Sequence, residues 1–224
     1  MHYSLLIKKS LFSAAICSVL AIAPAKAFIY KEAVSGDLSD DKAAPTALTL
    51  SPGFNSVSGT VAGFPEFGGT DPQDWVSFTV PTGFVMISYV NAKFVAGDGQ
   101  GFTGFQSGSS FSGDEFVAGS YTGYAHFGTA AQNPDGNPNA SSTVGVNLLP
   151  LMADPNFAPG TTNPVFPLGA GTYTFLIQQG DPTVTQYRFT MTLRPVGAPE
   201  PGSSFCLLAM GSLATLALRR RLRR

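Results

Sequence analysis

From Phe28 to Gly197 the apolar positions recur at every second residue in short runs rather than at helical spacing. The clearest run is Gln186–Leu193, where Tyr187, Phe189, Met191 and Leu193 point one way and Arg188, Thr190 and Thr192 the other. Gly171–Gln179 repeats the pattern, with Tyr173, Phe175 and Ile177 against Thr174, Leu176 and Gln178. Such alternation puts one apolar row on a buried sheet face and one polar row outside. Gln179-Gly180-Asp181-Pro182-Thr183 separates the two runs with turn chemistry, which predicts a terminal hairpin. Shorter runs predict strands over Ala47–Leu50, Asn55–Ala62, Trp75–Val80, Phe84–Ala96, Gly101–Gln106, Ser120–His126 and Ser142–Leu149. Ala130–Asn139 and Pro150–Pro167 are rich in Pro, Asn and Gly and read as long loops. The predicted class is all-β: an antiparallel β-sandwich or jelly roll of about nine strands.

Both ends break the alternation with continuous apolar stretches. Lys8 and Lys9 precede the run Leu11–Ala23, and Ala25-Lys26-Ala27 follows it. A basic start, a short apolar segment and small residues at alternate positions describe a secretory signal peptide. Signal peptidase is expected to read Ala25 and Ala27 and to leave Phe28 as the first mature residue. At the other end Ser203–Leu218 carries no charge and is followed by five arginines. As a helix it spans about 24 Å, a little less than a hydrocarbon core of ~30 Å, and snorkelling arginines make up the difference. A basic cluster stays on the cytoplasmic side, so the rest of the chain lies outside. The expected division is 1–27 signal peptide, 28–197 extracellular β-sandwich domain and 198–224 sorting tail, with a signal helix and a transmembrane helix flanking the domain.

The tail resembles the PEP-CTERM sorting signal of Gram-negative bacteria. Pro199, Glu200 and Pro201 match its motif, Ser203–Leu218 its apolar helix, and Arg219, Arg220, Arg221, Arg223 and Arg224 its basic cluster. The resemblance implies processing near the motif by exosortase, a membrane protease-transpeptidase. It also implies transient anchoring in the inner membrane, delivery to the cell surface or extracellular matrix, and an association with exopolysaccharide. A second segment, Asp71-Pro72-Gln73-Asp74-Trp75-Val76-Ser77-Phe78-Thr79-Val80-Pro81, resembles the signature strand of bacterial pre-peptidase C-terminal domains, small extracellular β-sandwiches appended to secreted proteins. Asn55–Val61 and Gly171–Gln179 fit the same pattern, while Gly97–Gly113 and the proline-rich loop depart from it as insertions.

Charge and chemistry narrow the function classes. Residues 28–197 hold 13 acids against 5 bases, a net charge of −8 that the basic ends mask in the whole-chain value of −1. Such a core is a poor partner for nucleic acid, and on net charge alone neutral or amine-bearing glycans are favoured over anionic ones. Both cysteines, Cys17 and Cys206, lie in the removable ends, which excludes thiol catalysis and Cys-ligated zinc in the mature domain. No Gly-x-Ser-x-Gly occurs, and Ser39-x-x-Lys42 lacks its companion motifs. His126 is the single mature histidine and has no identifiable orienting partner. No catalytic residue is assigned, and the expectation is a non-enzymatic binding or structural module. A hydrolase acting on matrix polysaccharide, or a calcium-stabilised structural protein without a specific ligand, are the alternatives.

Three side-chain groups remain as candidates. Trp75 is read as a core residue rather than a sugar-stacking platform. The rings of Gly97–Gly123 either close one end of the sandwich or stay at a loop rim, with Phe102 and Phe105 as the candidate sugar-binding pair. Calcium is the one cofactor left open, with Asp71, Asp74 and Asp135 as candidate ligands. Asp135-Gly136-Asn137-Pro138-Asn139 begins like an EF-hand loop but has Ala140 where the turn glycine belongs and Val146 where the bidentate glutamate belongs.

Overall fold

The computed structural model describes residues 27–95, 99–130, 141–162, 164–180 and 182–197. Outside them lie residues 1–26 with Ala25, the loop carrying Asp135, and the tail from residue 198 with Pro199–Pro201, the apolar run and the arginine cluster. Among the described residues no helix is long and apolar enough to cross a membrane.

The described strands are β1 (Phe28–Lys31), β2 (Thr46–Thr49), β3 (Gly53–Val61), β4 (Gln73–Val80), β5 (Phe84–Val95), β6 (Gly101–Ser107), β7 (Gly123–Phe127), β8 (Gly171–Gln178) and β9 (Thr185–Pro195). Two short helices, α1 (Glu32–Ser35) and α2 (Leu149–Ala153), complete the elements that matter here. The strands form two sheets, β1-β3-β9-β5 and β2-β4-β8-β6-β7. The chain is therefore an all-β sandwich. The apolar rows read from the sequence meet between the sheets: Tyr187, Phe189, Met191 and Leu193 of β9 with Val57 and Val61 of β3 on one side, Val76 and Phe78 of β4 with Phe175 and Ile177 of β8 on the other. Aromatic contacts cross this interface, including Tyr89 of β5 against Phe175 of β8 with centroids 4.9 Å apart.

Three details differ from the sequence reading. First, β8 and β9 are not a hairpin. β8 pairs with β4 and β6, and β9 pairs with β3 and β5, so the turn after Gln178 carries the chain from one sheet to the other. Their apolar rows face each other across the core, a placement that buries both. Second, Ser142–Leu149 is not a strand. It turns at Val144–Gly145, where Gly145 has φ 84, and joins β5 through one bridge, Val90 to Asn147. The Asn147 side chain then accepts from the Tyr89 amide at 2.9 Å and donates to the Ile87 carbonyl at 3.2 Å, closing the β5 edge without a ladder. Third, one edge pair of each sheet, β1–β3 and β2–β4, is parallel while the other described ladders are antiparallel. The strand not foreseen, β1, lies at one sheet's edge; β2 lies at the edge of the other.

The segment between β1 and β2 therefore crosses from one sheet to the other at one end of the sandwich. The Trp75 amide donates to the Ser39 carbonyl at 2.7 Å, which pins that crossing against the start of β4.

A second, smaller apolar cluster covers the outer face of the β2-β4-β8-β6-β7 sheet. Trp75 and Leu176 project outward there and are covered by Phe111 and Tyr121 from the loop after β6, with Phe102 and Tyr124 packed alongside. Trp75 is fully buried, as expected of a core residue. Lys42 holds the covering loop by donating to the Gly113 carbonyl and pairing with Glu115. Gly104 makes room for the cover, because a Cβ there would lie 2.5 Å from the Tyr121 ring.

Candidate functional site

Strand alternation places Asp74 on the inward face of β4, in the row of Val76, Phe78 and Val80 but at the end of the core. It is completely buried. Its Oδ2 accepts a hydrogen bond of 2.7 Å from the Tyr187 hydroxyl, which reaches across from the opposite sheet. The same hydroxyl lies 3.0 Å from Oε1 of Glu32. A hydroxyl has a single proton to donate. With no cation bound, both contacts can be hydrogen bonds only if one of the two carboxyls is itself protonated.

Glu32 opens α1 and turns its side chain inward beneath β3. Its Oε2 accepts from the Thr60 amide at 2.8 Å. Gly59 makes this placement possible, since a Cβ at that position would overlap the Glu32 carboxyl group. Asp37 and Asp40 arrive on the crossing segment, and Asp71 on the turn that precedes β4. That turn closes through a 3₁₀ stretch, Pro65–Phe67, with Gly68 in the left-handed region at φ 89.

Five carboxylates thus meet at one end of the sandwich. Ligand oxygens of Glu32, Asp37 and Asp74 lie within 4.8 Å of one another, and so do those of Asp40, Asp71 and Asp74. Asp74 belongs to both trios. Oδ1 of Asp74 and Oδ1 of Asp71 are buried without a hydrogen-bond partner among the described residues. Burial raises the Asp71 pKa to about 7, and Asp37, Asp40 and Glu32 add repulsion. Burial and then the Glu32 charge push Asp74 well above the carboxylate range, against the opposing Tyr187 hydrogen bond. Glu32 is raised mainly by burial, while the Thr60 amide and Tyr187 hydroxyl pull it back. Converging, desolvated oxygens with two orphaned acceptors suit a hard cation such as calcium, which takes oxygen ligands in flexible geometry. They do not suit zinc, which prefers nitrogen and sulfur.

Of the sequence candidates, Asp71 and Asp74 are brought together here, and Asp135 lies outside the described residues. Glu32, Asp37 and Asp40 were not foreseen. A signal was present: Asp37/Asp40 and Asp71/Asp74 repeat one spacing beside turn residues. Nothing local, however, says that two distant turns meet.

The Phe102 and Phe105 pair separates. Phe105 faces inward, fully buried and stacked on Phe175 with centroids 5.1 Å apart, so it is not at a loop rim and cannot stack on a sugar. The two residues are an odd interval apart on β6 and therefore lie on opposite faces. Phe102 is half-buried on the outer face, against Tyr121, Tyr124 and His126. His126 contacts Gln100 and Phe102, and burial lowers its pKa. Ser39 and Lys42 do not form a dyad: the Ser39 hydroxyl engages Asp41, and Lys42 engages Glu115.

No curated protein and no solved structure matches the chain. Residues 198–221 match the family of the PEP-CTERM protein-sorting motif, so the chain carries the C-terminal signal of an exported protein sorted by exosortase and held transiently in the membrane by that end.

Proposed function

We propose that the mature chain is a non-catalytic β-sandwich that exosortase delivers to the cell surface or extracellular matrix, where it associates with exopolysaccharide. The match at residues 198–221 carries this reading. Signal peptidase removes residues 1–27 and frees Phe28. Exosortase then acts near Pro199–Pro201, and the apolar run and arginines are lost. An epitope placed after Arg224 tests the sequence of events. It is expected only in the unprocessed precursor, and its retention on the surface-exposed form would make the tail a plain anchor. For the exopolysaccharide association, the exported protein is expected to co-sediment with the producer's own polymer. Failure to do so at both low and high salt would leave a structural matrix protein.

The orphaned Asp74 oxygen favours a second element of the reading. The cluster of Glu32, Asp37, Asp40, Asp71 and Asp74 holds calcium, which joins the N-terminal crossing segment to β4. The carboxyls converge on one another around Tyr187, and of the five only Glu32 borders an open groove, so no two of them stand on either side of it. That supports ion holding over the acid–base work of a glycosidase, whose two carboxylates stand on either side of a substrate. Calcium would supply the positive charge that these desolvated oxygens lack, and Tyr187 would then donate its single proton to one carboxylate, Asp74 being the nearer at 2.7 Å.

A further inference from the structure

The outer face of the β1-β3-β9-β5 sheet concentrates cations that the sequence scatters. In the register of the sheet Lys31 lies beside Ser58, Ser58 beside Arg188, and Arg188 beside Lys93. All four sit on one rung that runs across the strands. Lys31, Lys93 and Arg188 are exposed. With strands about 4.8 Å apart, the three charges fall on a line roughly 14 Å long. Arg194 projects from the same sheet face further along β9. Four of the five cations of residues 28–197 are thus on one face of an acidic domain.

No ion pair joins Lys31, Lys93 or Arg188 to a described carboxylate; Lys93 donates instead to the Gln186 amide oxygen at 2.7 Å. The outward positions of these strands hold no acid; Glu32 lines the groove at its α1 end, but its carboxyl is engaged by the Thr60 amide and the Tyr187 hydroxyl. Directly opposed like charges such as Arg188 and Lys93 weaken a sheet. Folding by itself gives no reason to place them there. The rung crosses an open groove of about 780 Å³, large enough for a short oligosaccharide. Ser56, Ser58, Thr60 and Thr190 line it with hydroxyl groups, and Phe54, 50% exposed, supplies a ring at one end.

We propose that this face binds an anionic polysaccharide, with carboxylate groups of the polymer on Lys31, Arg188 and Lys93 and its hydroxyls on the serine and threonine rows. The proposal rests on delivery of the protein to a polysaccharide matrix and names the glycan class. Net charge alone points to neutral or amine-bearing glycans, but the fold separates the charges and gathers Lys31, Lys93, Arg188 and Arg194 on this face. A sparsely charged glycan fits the rung better than nucleic acid does. A duplex carries one charge per about 1.7 Å, far denser than the cations here, and the acids elsewhere on the domain repel the excess.

The test uses the exported, processed protein in calcium-containing buffer. Affinity electrophoresis compares gels containing polygalacturonate, neutral dextran, the amine polymer chitosan or duplex DNA, at low and high salt. Retardation is expected in polygalacturonate, weakening as salt rises, with none in dextran. The triple variant Lys31→Gln, Lys93→Gln, Arg188→Gln should weaken polygalacturonate binding about tenfold or more. Its melting temperature should hold or rise, because a like-charge contact is removed. Equal retardation in dextran, tighter binding to DNA, or unchanged polygalacturonate binding by a folded triple variant would each overturn the proposal, as would chitosan retardation that the triple variant loses, since the acidic faces alone should hold chitosan. If the producer's own polymer is bound while the triple variant binds it equally well, exopolysaccharide association stands and this face is excluded. If that polymer is not bound at all while polygalacturonate is, the face stands and the matrix association falls.

Discussion

Calcium should raise the melting temperature of the exported protein, and Asp74→Asn should abolish that rise while stabilising the metal-free form. The two effects have opposite signs, which makes the experiment decisive. In the metal-free protein Asp74 is fully buried, carries an orphaned Oδ1 and sits among four other acids. An asparagine keeps the shape and still accepts from Tyr187, but removes the cost of burying a carboxyl there, which the metal-free protein meets by holding Asp74 protonated far above its ordinary pKa. The metal-free variant should therefore melt at or above the native temperature. With calcium the order reverses. Extracellular modules of this kind bind calcium at about 10⁻⁴–10⁻³ M. At about 10 mM metal, mass action gives roughly 1.4–2.7 kcal/mol of stabilisation. For a domain the size of residues 28–197, each kcal/mol moves the midpoint about 2–4 °C, so the native protein should gain about 3–11 °C. Calorimetry or dye-monitored melting with calcium and with chelator reads this directly. No calcium shift in the native protein, or an equal shift in Asp74→Asn, would refute the site.

Three further outcomes follow from the same geometry. Gly59→Ala puts a Cβ where the Glu32 carboxyl lies, so calcium affinity measured by titration should fall about tenfold or more with the fold retained; unchanged affinity would remove Glu32 from the ligand set. Asp71 has its folded-state pKa raised to about 7, so its stabilising contribution is present below the unfolded value of about 3.9 and is lost as pH rises through about 7. Metal-free protein should accordingly melt lower at pH 8.5 than at pH 5.5, an interval that takes in the upper half of the Asp71 window of about 3.9 to 7, and calcium should reverse that order; a metal-free midpoint that climbs between the two pH values would contradict it. Phe105→Ala should cost about 3–5 kcal/mol in chemical denaturation, as should Trp75→Ala, because both rings are fully buried. A loss under about 1 kcal/mol for either would contradict its core placement.

Alternation, punctuation and end composition are local properties, and they were legible in the residues. Period-two rows identified eight of the nine strands and which side chains of β8 and β9 face inward. The proline-glutamate-proline segment, apolar run and arginines named the sorting signal that the family match places at residues 198–221. Burial of the single tryptophan followed from its place on a strand. The pairing of distant segments was not legible, because a strand's pattern states which face is buried and not which neighbour it takes. So β8 and β9 pack face to face where a turn between them suggested a hairpin, and a parallel β1 joins the edge. The same limit hid both the acidic cluster and the basic rung. Glu32, Asp37 and Asp40 lie far along the chain from Asp71 and Asp74, and only the crossing of the N-terminal segment over the sandwich end brings their oxygens together. Lys31, Lys93 and Arg188 form one rung only because four strands from separate parts of the chain take a particular register. Net charge averages over a surface, whereas a ligand meets one face of it.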